Sequence, residues 1–168
     1  MQTFGVEMRN GAKIRSLRTD DHSEWRRMRL ALYSSDDPGL IEKEIEDIAA
    51  GILPMDVLVA ERSSGGLVGF VELTVEHNVV GCKSSPVGYI GSWYVDPDHR
   101  QAGVGRELLL AAEDWAAGRG CREMGSDCEI DNEISRRAHI RIGYVETERL
   151  IHFRKPIKRG PNRIPVTD

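Results

Sequence analysis

Arg100, Gln101, Ala102, Gly103, Val104 and Gly105 form an R-x-x-G-x-G turn. An apolar run, Tyr89 to Val95, precedes it, and a helical pattern starting at Val104 follows it. A strand, a glycine turn and a helix present bare backbone N–H groups to an anion. Glycine lets the backbone approach a ligand with no Cβ in the way. The helix start adds unpaired N–H groups and a partial positive charge. The pattern points to a phosphate-bearing ligand. It is not a P-loop, because Arg106-Glu107 follows Gly105 where Lys-Ser/Thr is required. It is not a dinucleotide fingerprint either, because Leu108 stands where a third glycine is needed. A glycine-rich turn with no ligand is the plain alternative.

Other residues of chemical interest lie apart in the chain. Glu72 shares a strand face with Phe70 and Thr74, so it looks into a cleft or onto a solvated sheet surface. Asp127 ends a short strand, and Asp36-Asp37 sits in a turn-rich loop. Carboxylates suit a cationic partner. His139 lies four residues before Gly143; either form of its ring can donate a proton, and a packed helix histidine is the alternative. Asn132 stands at a helix mouth, where Asn favours caps. Trp93 either walls a pocket or fills the core.

The elements that must position these groups are legible from periodicity. Lys13–Leu17 alternates as a first strand. Asp21-His22-Ser23-Glu24 has capping-box spacing, with Asp21 as the cap. The helix after it turns Trp25, Met28 and Leu32 inward and Arg26, Arg27 and Arg29 outward. A second, acidic helix spans about Leu40 to Gly51, with a stripe of Ile41, Ile45 and Ile48. Strands follow at Asp56–Glu61 and Leu67–Glu76, joined by the hairpin turn Ser63–Gly66. After the glycine turn come a helix over Val104–Arg119, a short strand over Cys121–Asp127, and a last helix turning Ile134, Ala138 and Ile142 inward. Tyr144–Glu148 and Leu150–Lys155 read as closing strands. The fold class is α/β with a mixed, largely antiparallel sheet flanked by helices. Residues 1–155 form one domain and 156–168 a tail.

Composition narrows the function classes. The chain has 168 residues, enough for one domain with a real core. A net charge of −4 argues against a general nucleic-acid surface. No apolar run approaches the ~20 residues that span a bilayer, and Met1–Gly11 lacks a secretory h-region. The cysteines, Cys82, Cys121 and Cys128, form no C-x-x-C pair, so neither a zinc site nor a disulfide framework is expected. Reduced thiols and a cytoplasmic setting are the expectation.

The R-x-x-G-x-G turn after Val-Asp-Pro resembles the acetyl-CoA pyrophosphate loop of the GCN5-related N-acetyltransferases, and the order of elements is similar to that fold. Gly69-Phe70, Cys82–Val87, Gly120–Met124, Ser126-Asp127, Ile134-Ser135, Gly143-Tyr144, Glu146–Arg149 and Phe153–Lys155 together resemble the aminoglycoside 6′-N-acetyltransferases. The resemblance implies acetyl transfer from acetyl-CoA to a primary amine of a cationic small molecule, and a homodimer. It implies that the backbone of Trp93, Tyr94 and Val95 and the turn Arg100–Gly105 hold the cofactor, with Asn132 touching its pantetheine arm. It implies that His139 protonates the leaving thiolate and that Asp127 binds the acceptor and takes its proton, with Glu72 as the second candidate base. Asp36, Asp37 and Trp93 join Asp127 and Glu72 as candidate acceptor contacts. One position departs from the family: Gly91 stands where relatives often carry a glutamate beside the reacting amine. A different small amine or peptide N-terminus, or a non-catalytic acetyl-CoA-binding module, therefore stays open.

Overall fold

The computed structural model describes residues 6–7, 12–34 and 36–156. The element order is β1 (Val6–Glu7), β2 (Ala12–Ser16), α1 (His22–Leu32), α2 (Pro38–Ala49), β3 (Asp56–Arg62), β4 (Leu67–Glu76), β5 (Val87–Val95), α3 (Val104–Ala117), β6 (Met124–Ser126) and α4 (Glu133–Arg141). The six strands form one sheet in sequence order. All neighbours are antiparallel except β5 and β6, which run parallel.

The sheet has a core on each face. On one, Val71, Leu73 and Ile90 pack under Leu108, Ala112 and Trp115 of α3. On the other, Val59 and Phe70 pack under Trp25 and Met28 of α1 and under Ile41, Ile45 and Ile48 of α2. Strand alternation sends Phe70 and Val71 to opposite cores, as period-two geometry requires. The register slips once between β4 and β5: Glu72 pairs with Ser92 and Leu73 with Ile90, which leaves Gly91 as an extra, unpaired residue. This bulge keeps both Ile90 and Trp93 against the α3 core.

Several expectations are corrected. Tyr144–Glu148 and Leu150–Lys155 form no strand; Val145, Ile151 and Phe153 are exposed, and no sheet edge among the described residues pairs with them. Arg29 is buried, not outward, because Glu72 lies beneath it. Ile134 is exposed, since α4 buries none of its residues. The capping box does not form. Asp21 precedes α1 but spends its carboxylate on Arg15 and on the Arg18 N–H, while Glu24 accepts from the Leu67 N–H. The tail from residue 157 onward, and most of Met1–Gly11, lie outside the described residues.

Candidate active site

The glycine turn has the backbone its sequence demands. Gln101 has φ 63° and Gly103 φ 88°, so the chain is left-handed at two of three positions before α3. Such geometry gathers successive N–H groups into an anion-binding concavity. Gly103 is the residue that starts α3, and a side chain there would meet nothing within 4 Å, so the space above it is open. Gly105 has a different role. A Cβ there would lie 2.8 Å from Trp93 Cζ2, so this glycine admits the indole against the first turn of α3. The Arg100 side chain donates from Nε to the Val95 carbonyl at 2.9 Å and lies over the Tyr94 ring. This bond ties the turn to the end of β5.

β5 and β6 pair only at Gly88, Tyr89 and Ile90. β6 ends at Ser126, opposite Ile90, so among the described residues the edge of Gly91–Val95 on that side has no strand partner. Pairing stops next to the Gly91 bulge. Trp93, Tyr94 and Val95 form this unpaired edge between the bulge and the glycine turn.

α4 meets this edge through His139, whose ring packs on Trp93. Asn132 caps it, accepting from the Ser135 N–H at 3.0 Å. His139 is held at both ring nitrogens. Nδ1 lies 2.9 Å from the Ser135 carbonyl oxygen, which only accepts, so Nδ1 carries a proton. Nε2 lies 3.1 Å from Ser126 Oγ, which is itself 3.3 Å from the Ile90 carbonyl. The neutral ring accepts from Ser126; the charged ring donates to it and releases the serine hydrogen to Ile90. The His139 ring also meets the edges of Trp93 and Tyr144 at 5.3 Å between centroids. Trp93 Nε1 and the Tyr144 hydroxyl are buried with no hydrogen-bond partner among the described residues.

His139, Ser126 and Asp127 line a bowl of about 680 Å³, closed by α4 and the C-terminal segment. Asp127 is exposed and accepts from the Tyr89 hydroxyl. Burial, followed by the Asp127 carboxylate, pushes the Tyr89 phenol well up, so it stays a donor. Glu76, Glu129 and Glu148 add negative charge to the wall, against Arg136 and Arg149, which are partly taken by Glu146. The balance suits an ammonium-rich ligand.

Glu72 is not in that bowl. It is fully buried between the sheet and α1, which corrects the expectation of a cleft or wet surface. Its Oε1 accepts from Trp25 Nε1 at 3.0 Å and faces Arg29 Nε at 2.8 Å. Its Oε2 accepts from Ser92 Oγ at 2.6 Å, and Ser92 Oγ lies 2.7 Å from the Tyr33 hydroxyl. Arg29 continues to Glu44 at 3.0 Å. Burial pushes the Glu72 carboxyl up, while Arg29, Ser92 and Trp25 pull it down. Tyr33 and Glu44 line a second cleft with Asp36, Asp37, Leu40 and Ile41. Asp37 caps α2 through the Gly39 N–H at 2.9 Å.

The structure thus brings His139, Asp127, Trp93 and the glycine turn around the end of the β5–β6 pairing. Glu72 is set on the opposite face, behind Ser92, and Asp36 and Asp37 lie in the cleft beyond it. Sequence reasoning missed Ser126, Tyr89, Ser92, Tyr33 and Arg29. Hydroxyls carry no periodic signal, and an arginine on a helix reads as a wet face.

Residues 14–144 match the acetyltransferase (GNAT) family. An aminoglycoside N(6′)-acetyltransferase type 1 from Stenotrophomonas maltophilia is 36% identical over 149 residues, covering 86% of this chain and 94% of the relative. One from Salmonella typhimurium is 37% identical over 145 residues, covering 84% and 97%. The solved structure of AAC(6′)-Iy with the bisubstrate analogue CoA-S-monomethyl-acetylneamine superposes with a TM-score of 0.78 at 33% identity, covering 87% of this chain and 99% of that one. AAC(6′)-Ih from Acinetobacter baumannii superposes with a TM-score of 0.78 at 26% identity, covering 88% of this chain and 100% of that one.

Proposed function

The chain belongs to the acetyltransferase (GNAT) family, and from that premise we propose that it moves an acetyl group from acetyl-CoA to the 6′-amine of an aminoglycoside. The observation that carries this reading is the identity of 36% and 37%, over more than four-fifths of the chain, to enzymes named for that reaction.

The donor is acetyl-CoA, which supplies an activated acyl group as a thioester. The residues present fit it in two places. The left-handed pair Gln101 and Gly103, with open space above Gly103, suits a pyrophosphate at the start of α3. Backbone N–H groups of Ala102, Gly103, Val104 and Gly105 would face it. The unpaired edge of Trp93, Tyr94 and Val95 suits an extended amide arm. In this reading Asn132 supports the site as the cap that sets α4 and His139.

The chain's residues then divide the work. Asp127, in the acidic bowl, attracts and orients an acceptor ammonium. The backbone of Trp93, Tyr94 and Val95 stabilises oxyanion charge, a role in which one donor is worth ~3–4 kcal/mol. His139, fixed through Nδ1 on the Ser135 carbonyl, offers a transferable proton from Nε2 to the leaving sulfur when its ring is charged.

Gly91 favours one second reading, acetylation of a different small amine, because the glutamate expected there is missing. Release of CoA from acetyl-CoA, measured with kanamycin, tobramycin, spermidine and an Ala-peptide, separates the two. Faster turnover on both antibiotics supports the first reading; turnover confined to the other amines removes it.

A homodimer and a cytoplasmic location complete the proposal. The exposed Val145, Leu150, Ile151 and Phe153 support pairing of the C-terminal segment with a second copy. Three unpaired cysteines and a CoA-derived donor go with a reducing compartment. No helix among the described residues is long and apolar enough to cross a membrane. The net charge of −4 speaks against nucleic acid as a partner.

A further inference from the structure

Five carboxylates, Glu76, Asp127, Glu129, Glu146 and Glu148, wall the acidic bowl, and they are held in different ways. Glu146 is paired with Arg136 and Arg149, so its charge is compensated. Glu76 accepts from Thr74 of its own strand at 2.9 Å. No side-chain partner among the described residues fixes Glu129 or Glu148. Asp127 alone among the five is held from another strand by a neutral donor, the Tyr89 hydroxyl on its Oδ1. The backbone prepares this contact. Tyr89 pairs with Thr74 of β4 on one side and with Gly125 of β6 on the other. A Cβ at Gly125 would stand 3.2 Å from Tyr89 Cδ2 and 2.5 Å from Val79 Cγ1. The glycine therefore lets the phenol ring lie close over β6, toward Asp127 two residues further on.

We propose that Tyr89 is the positioning residue of the acceptor site: it fixes Asp127 through Oδ1 and leaves Oδ2 to take an ammonium N–H of the acceptor. This rests on the amine-acetylating reading above. An arginine at the same place would orient the carboxylate but cancel its charge. A phenol orients it and leaves the full charge to the ligand. No ion pair of Asp127 with a cation of the chain competes for that charge among the described residues. A carboxylate already held by one oxygen also has less freedom to lose when the ligand arrives. Burial, followed by the Asp127 carboxylate, keeps the phenol protonated, so the donor persists wherever the carboxylate is charged.

Tyr89→Phe removes the hydroxyl and keeps the ring over Gly125. Kanamycin affinity, read by calorimetry, is expected to fall ~10-fold, the scale of one hydrogen bond to a charged group. The same loss appears in the kanamycin KM, with kcat changing less. Acetyl-CoA affinity stays within twofold and Tm holds, as a merely structural role would not allow. Asp127→Asn is expected to bind kanamycin at least as weakly as Tyr89→Phe. Adding Tyr89→Phe to it brings no further loss, because the phenol acts only through Asp127. Kanamycin bound as tightly by Tyr89→Phe as by wild type, a matching loss of acetyl-CoA affinity, or losses that add in the double variant would each overturn the positioning role and leave the activity standing. Wild-type protein that releases no CoA with kanamycin overturns the aminoglycoside reading, and the role of Tyr89 with it.

Discussion

Gly105 and Gly91 look alike in the sequence and have different roles. Gly105 makes room for Trp93, with an added Cβ only 2.8 Å from the ring, whereas a Cβ at Gly91 would meet nothing nearer than Met55 Cε at 4.0 Å. Gly105→Ala therefore forces the indole out of its place beside His139 and the glycine turn. Overpacking of this kind costs ~1–3 kcal/mol, and the acetyl-CoA KM is expected to rise with the drop in Tm. Gly91→Ala is expected to stay within ~0.5 kcal/mol of wild type, with the KM unmoved. Thermal melts and acetyl-CoA titrations of the two variants side by side check this. Equal effects would mean that Trp93 is not held by the close approach. The same comparison shows what one-dimensional reading can and cannot do. The R-x-x-G-x-G spacing marks a turn against α3, but only the fold shows that its second glycine serves a side chain twelve residues upstream.

At the scale of elements, α4 is the weakest part of the site and carries its histidine. It buries no residue, so tertiary packing does little for it, and its Asn132 cap matters in proportion. Asn132→Ala is expected to cost about 1 kcal/mol locally and to lower kcat by loosening His139 over Ser126. Asn132→Asp keeps the accepting oxygen and is expected to restore kcat. If the amide NH2 instead serves the pantetheine arm, Asp will not rescue, and acetyl-CoA affinity will fall in both variants. The helices and the antiparallel run were legible because apolar periodicity and β4 alternation are strong, local signals. Burial of Arg29 was not, because its reason, Glu72, lies 43 positions away by number and meets it only once α1 packs onto the sheet. The two closing strands show the converse. Alternation in Leu150–Lys155 is a statement about a strand's faces, and a strand also needs an edge to pair with.

For the molecule as a whole, an ion-pair network ties the layers together. Arg15 on β2 reaches Asp21 before α1 at 2.6 Å and Glu61 on β3 at 2.7 Å. Its hydrogen bonds hold both carboxyls below the usual carboxylate range and raise the guanidinium. A depressed carboxyl stabilises the fold above its unfolded pKa, and the contribution is lost as pH falls through the folded one. Tm is thus expected to fall below about pH 4, and Arg15→Met to flatten that fall while lowering Tm at neutral pH. A parallel acid slope in the variant would place the sensitive carboxyls elsewhere. The proposed homodimer is tested at the C-terminal segment. Ile151 is 79% exposed and Phe153 92%, in a segment whose sequence alternates as a strand does. An unpaired strand with apolar residues is a template for another chain, and a stable contact needs roughly 800 Å² from each partner. Ile151→Asp with Phe153→Asp should convert a dimer to a monomer by light scattering. Because Leu150 and His152 of that segment also wall the acidic bowl, the monomer is expected to lose acceptor affinity before acetyl-CoA affinity. Wild-type protein that is monomeric at tens of micromolar would show that the segment closes on its own chain, and the bowl would then be complete without a partner.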